Sequence, residues 1–151
     1  MKIIAAGKTD VGRKRSHNED AITIAPDLSL YIVCDGMGGH AAGEVASSTA
    51  TATLLRFFRE HHARITRFDD SNASRDALLR LVEEAIQQAS AAVFAIATSE
   101  AGKAGMGTTL TMVLCTRTIG VMGHVGDSRL YLRRGGRVYQ LSEDHTYVAE
   151  L

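Results

Sequence analysis

The hydrophobic pattern of the chain falls into short apolar runs, two long amphipathic stretches, and a second series of short runs. Residues 2–6 and 20–25 read as strands, and Pro26-Asp27 turns the chain into a third strand at 29–34. Over 43–61, Val45, Ser48, Ala52, Leu55 and Phe58 recur at three- and four-residue steps, which predicts an amphipathic helix. The polar residues 62–73 read as a surface loop. A second helix is predicted over 75–98, from the stripe Leu78, Leu81, Val82, Ala85, Ile86, Ala89, Val93 and Ile96, with Ser74 as its N-cap. Glycines at 102, 105 and 107 mark a mobile loop. Strand-like segments follow at 108–115, 119–125, 128–133 and 137–141, the last two joined by the hairpin signal Arg134-Gly135-Gly136. Strands, then adjacent helices, then strands predict α+β with antiparallel pairing rather than an alternating α/β fold.

Composition adds mainly exclusions. Seventeen basic residues balance seventeen acidic ones among 151, so no whole-chain field favours nucleic acid or an anionic membrane. The length suits one domain with a buried core. No run approaches the roughly 18 apolar residues of a membrane span, and Met1–Ala6 is too short for a secretory signal. The chain reads as cytoplasmic. Cys34 and Cys115 sit in apolar runs, as core thiols rather than a disulfide framework.

Three segments carry candidate chemistry. Asp35-Gly36-Met37-Gly38-Gly39-His40 follows the apolar run Leu30–Cys34, putting a carboxylate at the mouth of a buried strand. Upstream, Asn18-Glu19-Asp20 adjoins another strand. Carboxylates at neighbouring strand ends suit hard divalent cations such as Mg²⁺ and Mn²⁺. A tight glycine turn and a loose dinucleotide loop are the alternatives. Against the latter, Asp35 would repel a pyrophosphate, and the position about 20 residues on falls inside a helix rather than at a strand end. Arg15 lies four residues before the acidic pair, where its guanidinium can clamp phosphate oxygens or simply face solvent. His17 reads as a surface residue. Gly123-His124-Val125-Gly126-Asp127-Ser128-Arg129 reads first as a turn whose side chains bond local backbone, with metal ligation by Asp127 as the alternative. His124 reads as a hydrogen-bonded interior histidine.

Together these segments resemble the metal-dependent protein phosphatase family of type 2C, in its bacterial branch. The resemblance rests on Arg15 to Ala21, Asp35–His40 with Gly43-Glu44, Gly107-Thr108-Thr109, Gly126–Tyr131, and Leu141-Ser142-x-Asp144-His145-Thr146. It implies a four-layer αββα sandwich of two antiparallel sheets flanked by helices. It implies metal-dependent hydrolysis of phosphoserine and phosphothreonine in proteins. Asp35 would bridge two Mg²⁺ or Mn²⁺ ions, the Gly36 carbonyl would bind one, Glu19 and Asp20 would support the centre partly through water, and Arg15 would hold the substrate phosphate. The implied partners are phosphorylated proteins, the substrates of a Ser/Thr kinase, met by a monomer.

The departures matter equally. Ala104-Gly105-Met106 stands where many relatives carry an acid for a third ion, so a third ion is in doubt. His40 stands differently from the histidine of animal members, which puts a general-acid role in doubt. The family's later Ser-Asp-Gly and Asp-Asn segments, whose aspartates complete the binuclear site, have no counterpart before Leu151. Residues 1–151 are therefore expected to be the N-terminal portion of a phosphatase domain, ending at the start of a helix, weakly active or inactive alone. A catalytically inactive phosphatase-like binding or regulatory module is the alternative.

Overall fold

The computed structural model describes residues 3–38 and 41–145. Strands β1 (Asp20–Ala25) and β2 (Leu30–Met37) form an antiparallel hairpin in which Asp20 opposes Asp35 and Ala25 opposes Leu30. Three helices follow: α1 (Ala42–Glu60), the short α2 (His62–Thr66) and the long α3 (Asn72–Ser99). Then come β3 (Gly107–Thr108), β4 (Leu110–Cys115) and β5 (Gly120–Val125). These five strands make one antiparallel sheet, ordered β1-β2-β4-β5 with β3 beside the end of β2. A second antiparallel sheet is the hairpin β6 (Tyr131–Arg134) and β7 (Arg137–Gln140). Its turn uses positive φ at Gly135 and Gly136 (57° and 77°), the handedness a two-residue hairpin needs. The architecture is α+β, two antiparallel sheets with helices.

Period-two alternation sorts the larger sheet's faces. Leu30, Ile32, Cys34, Met112 and Leu114 point at α1 and α3 and are essentially inaccessible, packed with Ala46, Ala50, Leu54, Phe57, Phe58, Leu81 and Ala85. The opposite face is largely open among the described residues: Ile24, Val33 and Met122 are 39%, 43% and 37% exposed, although Gly7 lies against the Ile22 and Ile24 side chains. Asp35 and Asp20 lie at one end of that open face, since each is an even number of residues from Val33 or Ile22.

Several expectations need correction. Of the expected strand 2–6, the described residues 3–6 are not a strand: residues 3–19 have no regular structure, with no paired neighbour among the described residues. The expected loop at 62–73 contains α2 and the start of α3. The cap of α3 is Ser71, whose Oγ accepts from the Ser74 N–H at 3.1 Å. Segment 108–115 breaks at Thr109 into β3 and β4, and 128–133 is extended only from Tyr131. The stripe of α1 is out of phase, for Ser48 and Ala52 are exposed while Ala46, Ser47, Ala50, Thr51 and Leu54 are buried. Small residues let this helix lie close on the sheet, and a search for large apolar side chains passes over them. The end of the chain, read as a helix start, lies outside the described residues.

The Ser71 cap is testable. Asp69 accepts from Ser71 N (3.0 Å) and Oγ (2.6 Å), which drops its carboxyl to about 2. Ser71→Ala is expected to cost about 1 kcal/mol in urea unfolding, with Ser74→Ala much closer to neutral.

Candidate active site

Because Leu30, Ile32 and Cys34 face the helices, Asp35 must face the open side, directly opposite Asp20. Like charges across an antiparallel pair repel. The Asp35 carboxyl is accordingly held above its ordinary range, first by partial loss of hydration and then by the Asp20 charge. Its hydrogen bond with the Asp20 carboxyl and the nearby Asp127 charge add to this, and the Arg15 guanidinium partly offsets it.

The backbone here is fixed from several sides. Asp35 N–H donates to Thr109 Oγ1 (3.0 Å), and its carbonyl accepts from Thr109 N–H (2.8 Å) and Thr108 Oγ1 (3.0 Å). Thr109 Oγ1 also bonds Ser128 Oγ at 2.8 Å. Gly36 N–H donates to the Glu19 carbonyl at 3.0 Å. The break between β3 and β4 thus turns a threonine hydroxyl onto the Asp35 amide.

Two glycines let α1 close on this turn. A Cβ at Gly36 would overlap the Gly43 carbonyl oxygen and come within 2.7 Å of the Glu19 carbonyl oxygen. At Gly43 it would overlap Glu19 Oε1 and reach 2.9 Å from the Gly36 carbonyl carbon. The Glu19 carboxylate is therefore wedged at the first turn of α1, where the helix dipole favours an anion. Arg15 Nη1 lies 3.5 Å from Glu19 Oε2. Asp20 accepts from Thr9 Oγ1 (3.3 Å), which itself accepts from Asn18 Nδ2 (2.7 Å), and Asp20 N–H donates to Asn18 Oδ1 (3.1 Å).

The structure thus gathers Arg15, Glu19, Asp20, Asp35 and Gly36 at one sheet end. His17 is exposed, as read. His124 is hydrogen-bonded, to Thr111 Oγ1 and the Glu143 carbonyl, but half-exposed rather than interior. His40 lies outside the described residues. Asp127 lies near enough for its charge to bear on Asp35, although its segment reads first as a turn. Thr109, Ser128 and Gly43 lie in stretches that carry the resemblance, but only the structure gives them a role: the first, bonded to the second, holds the Asp35 backbone and the third leaves room for Glu19. Arg129 and Asp144 form a forked ion pair that ties the β6 approach to the segment after β7. Every candidate ligand is an oxygen, the donor type that Mg²⁺ and Mn²⁺ take. Among the described residues no three His, Cys, Asp or Glu side chains converge closely enough to hold an ion unaided.

A family model described as protein phosphatase 2C matches residues 9–150. The chain belongs to the protein phosphatase 2C family. A serine/threonine phosphatase stp from Listeria welshimeri is 37% identical over 147 residues, covering 95% of this chain and 55% of the relative. PstP, a serine/threonine protein phosphatase of Mycobacterium tuberculosis, is 37% identical over 146 residues, covering 97% and 26%. The M. tuberculosis PstP crystal structure superposes with a TM-score of 0.77 at 36% identity, over 95% of this chain and 55% of that one. A crystal structure of the PstP catalytic domain in complex with two manganese ions matches equally well, at 0.77 and 34% identity. This protein phosphatase 2C chain spans about half the length of the Listeria relative it matches.

Proposed function

We propose that this chain supplies the Asp20/Asp35 part of a binuclear Mg²⁺ or Mn²⁺ centre that hydrolyses phosphoserine and phosphothreonine in proteins. Residues 1–151 act, in this reading, as the N-terminal portion of the phosphatase domain. The observation that carries it is the cross-strand pairing of Asp20 with Asp35, a repulsive arrangement that a divalent cation relieves. Its kinship with PstP, seen with two manganese ions, supports the same reading. Asp35 and the Gly36 carbonyl would hold the ions, with Asp20 and Glu19 acting partly through water. The ions, when bound, supply the Lewis acidity that activates water and neutralises the phosphoryl group. Arg15 orients the phosphate with its guanidinium fork and is recruited from its long, exposed contact with Glu19. A cysteine mechanism is disfavoured: burial pushes the Cys34 thiol up to about 12, and that side chain faces the helices. The substrates would be phosphoproteins made by a Ser/Thr kinase, encountered in the cytoplasm. No helix among the described residues is long and apolar enough to cross a membrane.

The test is Mn²⁺-dependent release of phosphate from phosphothreonine peptides by a complete domain, of the relatives' length, containing residues 1–151. Absence of release would reject the reading. Within that domain Arg15→Ala should lower kcat/KM by about ten- to a hundredfold with Mn²⁺ affinity nearly unchanged. Unaltered kinetics would make Arg15 an ordinary surface side chain. A second reading, a non-catalytic phosphatase-like module, is favoured by one observation: the described carboxylates alone do not form a three-ligand cluster.

A further inference from the structure

The loop from Thr9 to Asn18 is built as a closed unit. Its ends meet through Asn18 Nδ2 and Thr9 Oγ1 at 2.7 Å, and Thr9 Oγ1 continues to Asp20 Oδ2 at 3.3 Å. The neck of the loop is therefore attached to one of the two paired carboxylates. Its tip is a tight turn in which Gly12 adopts a φ of 75° and donates its N–H to Asp10 Oδ1 at 2.8 Å. Asp10 is the loop's one acid, and three consecutive cations stand in and just after the turn at 12–14: Arg13, Lys14 and Arg15. All three are exposed. The ion pairs among the described residues use Arg15, Arg64 and Arg129, and none reaches Arg13 or Lys14.

Excess positive charge therefore stands on a short anchored loop in a chain whose net charge is zero. Compact loops with joined ends are frequent carriers of function. Resting on the phosphatase reading, we propose that Arg13 and Lys14 form a recognition surface for acidic residues flanking the phosphorylated side chain of a substrate. With Arg15 on the phosphate, Lys14 and Arg13 follow within about 7–8 Å of chain. An extended peptide advances about 3.3 Å per residue, so that span matches two flanking positions. The site's own carboxylates would repel such a peptide, so acidic flanks can be favoured only with the divalent ions bound. The preferred substrate class is a phosphoserine or phosphothreonine peptide with glutamate or aspartate beside the phosphoresidue. A nucleic acid or an anionic vesicle would use the same charges but would not require a phosphoresidue.

The test uses a complete phosphatase domain, of the relatives' length and containing residues 1–151, with Mn²⁺ and fluorescein-labelled peptides carrying a phosphonate analogue of phosphothreonine, flanked by glutamates or by glutamines. Unphosphorylated glutamate peptide is the control. At about 50 mM salt, where surface charges are only partly screened, the glutamate phosphopeptide is expected to bind about five- to tenfold more tightly than its glutamine counterpart. Arg13→Gln/Lys14→Gln should bring that ratio close to one without weakening the glutamine phosphopeptide. Both substitutions are on exposed side chains, so folding should be preserved. Phosphate-dependent binding with no effect of the flanks, or a ratio that survives the double substitution, would overturn this proposal while leaving the phosphatase reading intact. Binding that ignores the phosphonate, or no binding of the glutamate phosphopeptide, would overturn it too. The former points to a general polyanion surface and counts against the phosphate site itself.

Discussion

Asp35→Asn, assayed within a complete phosphatase domain, is expected to reduce turnover by on the order of a hundredfold or more while the fold survives. Asparagine keeps the size and backbone of aspartate but loses the charge that the proposed metal role requires. The main-chain bonds of Asp35 to Thr108 and Thr109 are indifferent to that exchange. A second consequence separates electrostatics from packing. The Asp35 carboxyl is raised above its ordinary range, so the folded metal-free protein binds this proton more tightly than the unfolded chain does. Its contribution to stability is thus complete below the ordinary carboxylate range and is lost as pH rises through the raised value. Metal-free Asp35→Asn should therefore melt higher than wild type at neutral pH, with the gap closing in acid. Added Mn²⁺ should reverse the order by stabilising only the wild type. Melting curves with and without Mn²⁺ across this pH range check the sign. A variant that melts lower than wild type without metal, or turns over phosphopeptide normally, would remove Asp35 from the centre.

Gly36→Ala is expected to be the most disruptive single change of one methyl group. The added Cβ would overlap the backbone oxygen of Gly43 and crowd that of Glu19, and neither is the end of a flexible side chain. Either the first turn of α1 lifts from β2 or the Glu19–Gly36 hydrogen bond breaks. Overpacking of this kind costs about 1–3 kcal/mol, occasionally more. The displacement would also move the Glu19 carboxylate and the Gly36 carbonyl, so metal affinity should fall with stability. Gly12→Ala offers a contrast: nothing lies within 4 Å of its Cβ, and the strain of its positive φ should lower stability alone. Urea unfolding together with Mn²⁺ titration distinguishes them. Equal loss of metal affinity in both would show that the Gly36–Gly43 contact does not position the site.

How far the sequence discloses this structure depends on what kind of contact decides each element. The α3 stripe is legible because the large apolar Leu78, Leu81, Val82 and Val93, with Ala85 and Ala89 between them, recur at regular helical steps and declare a buried face. The helical face of α1 is not, because Ala46, Ser47, Ala50 and Thr51 are buried through closeness to the sheet rather than hydrophobicity. Residues 2–6 read as a strand from a short apolar run, but a strand exists only where a neighbour pairs with it, and residues 3–6 have none among the described residues. Asp35 is legible from an apolar run that ends in an acid and glycines. Its support is not, because Thr109 lies 74 residues away and acts through a hydroxyl exposed only by a break in the ladder. Gly43 carries no chemistry in its own side chain, and its importance comes from the space it leaves for Glu19. The charge of Asp127 likewise becomes relevant only once β5 is laid beside β4 and the following turn comes back toward β2.

The central claim is that Asp20 and Asp35 together hold a divalent cation. Calorimetric titration of residues 1–151 with Mn²⁺ tests it most directly, against Asp20→Asn, Asp35→Asn and the double variant. The described carboxylates make up a partial ligand set, so wild type should bind weakly, close to one ion, with negligible hydrolysis of phosphopeptide. Asp20→Asn should weaken binding, and both Asp35→Asn and the double variant should abolish it. Mn²⁺ binding that persists in the double variant with unchanged affinity would contradict the account, because the cation would then be held by residues other than the cross-strand pair.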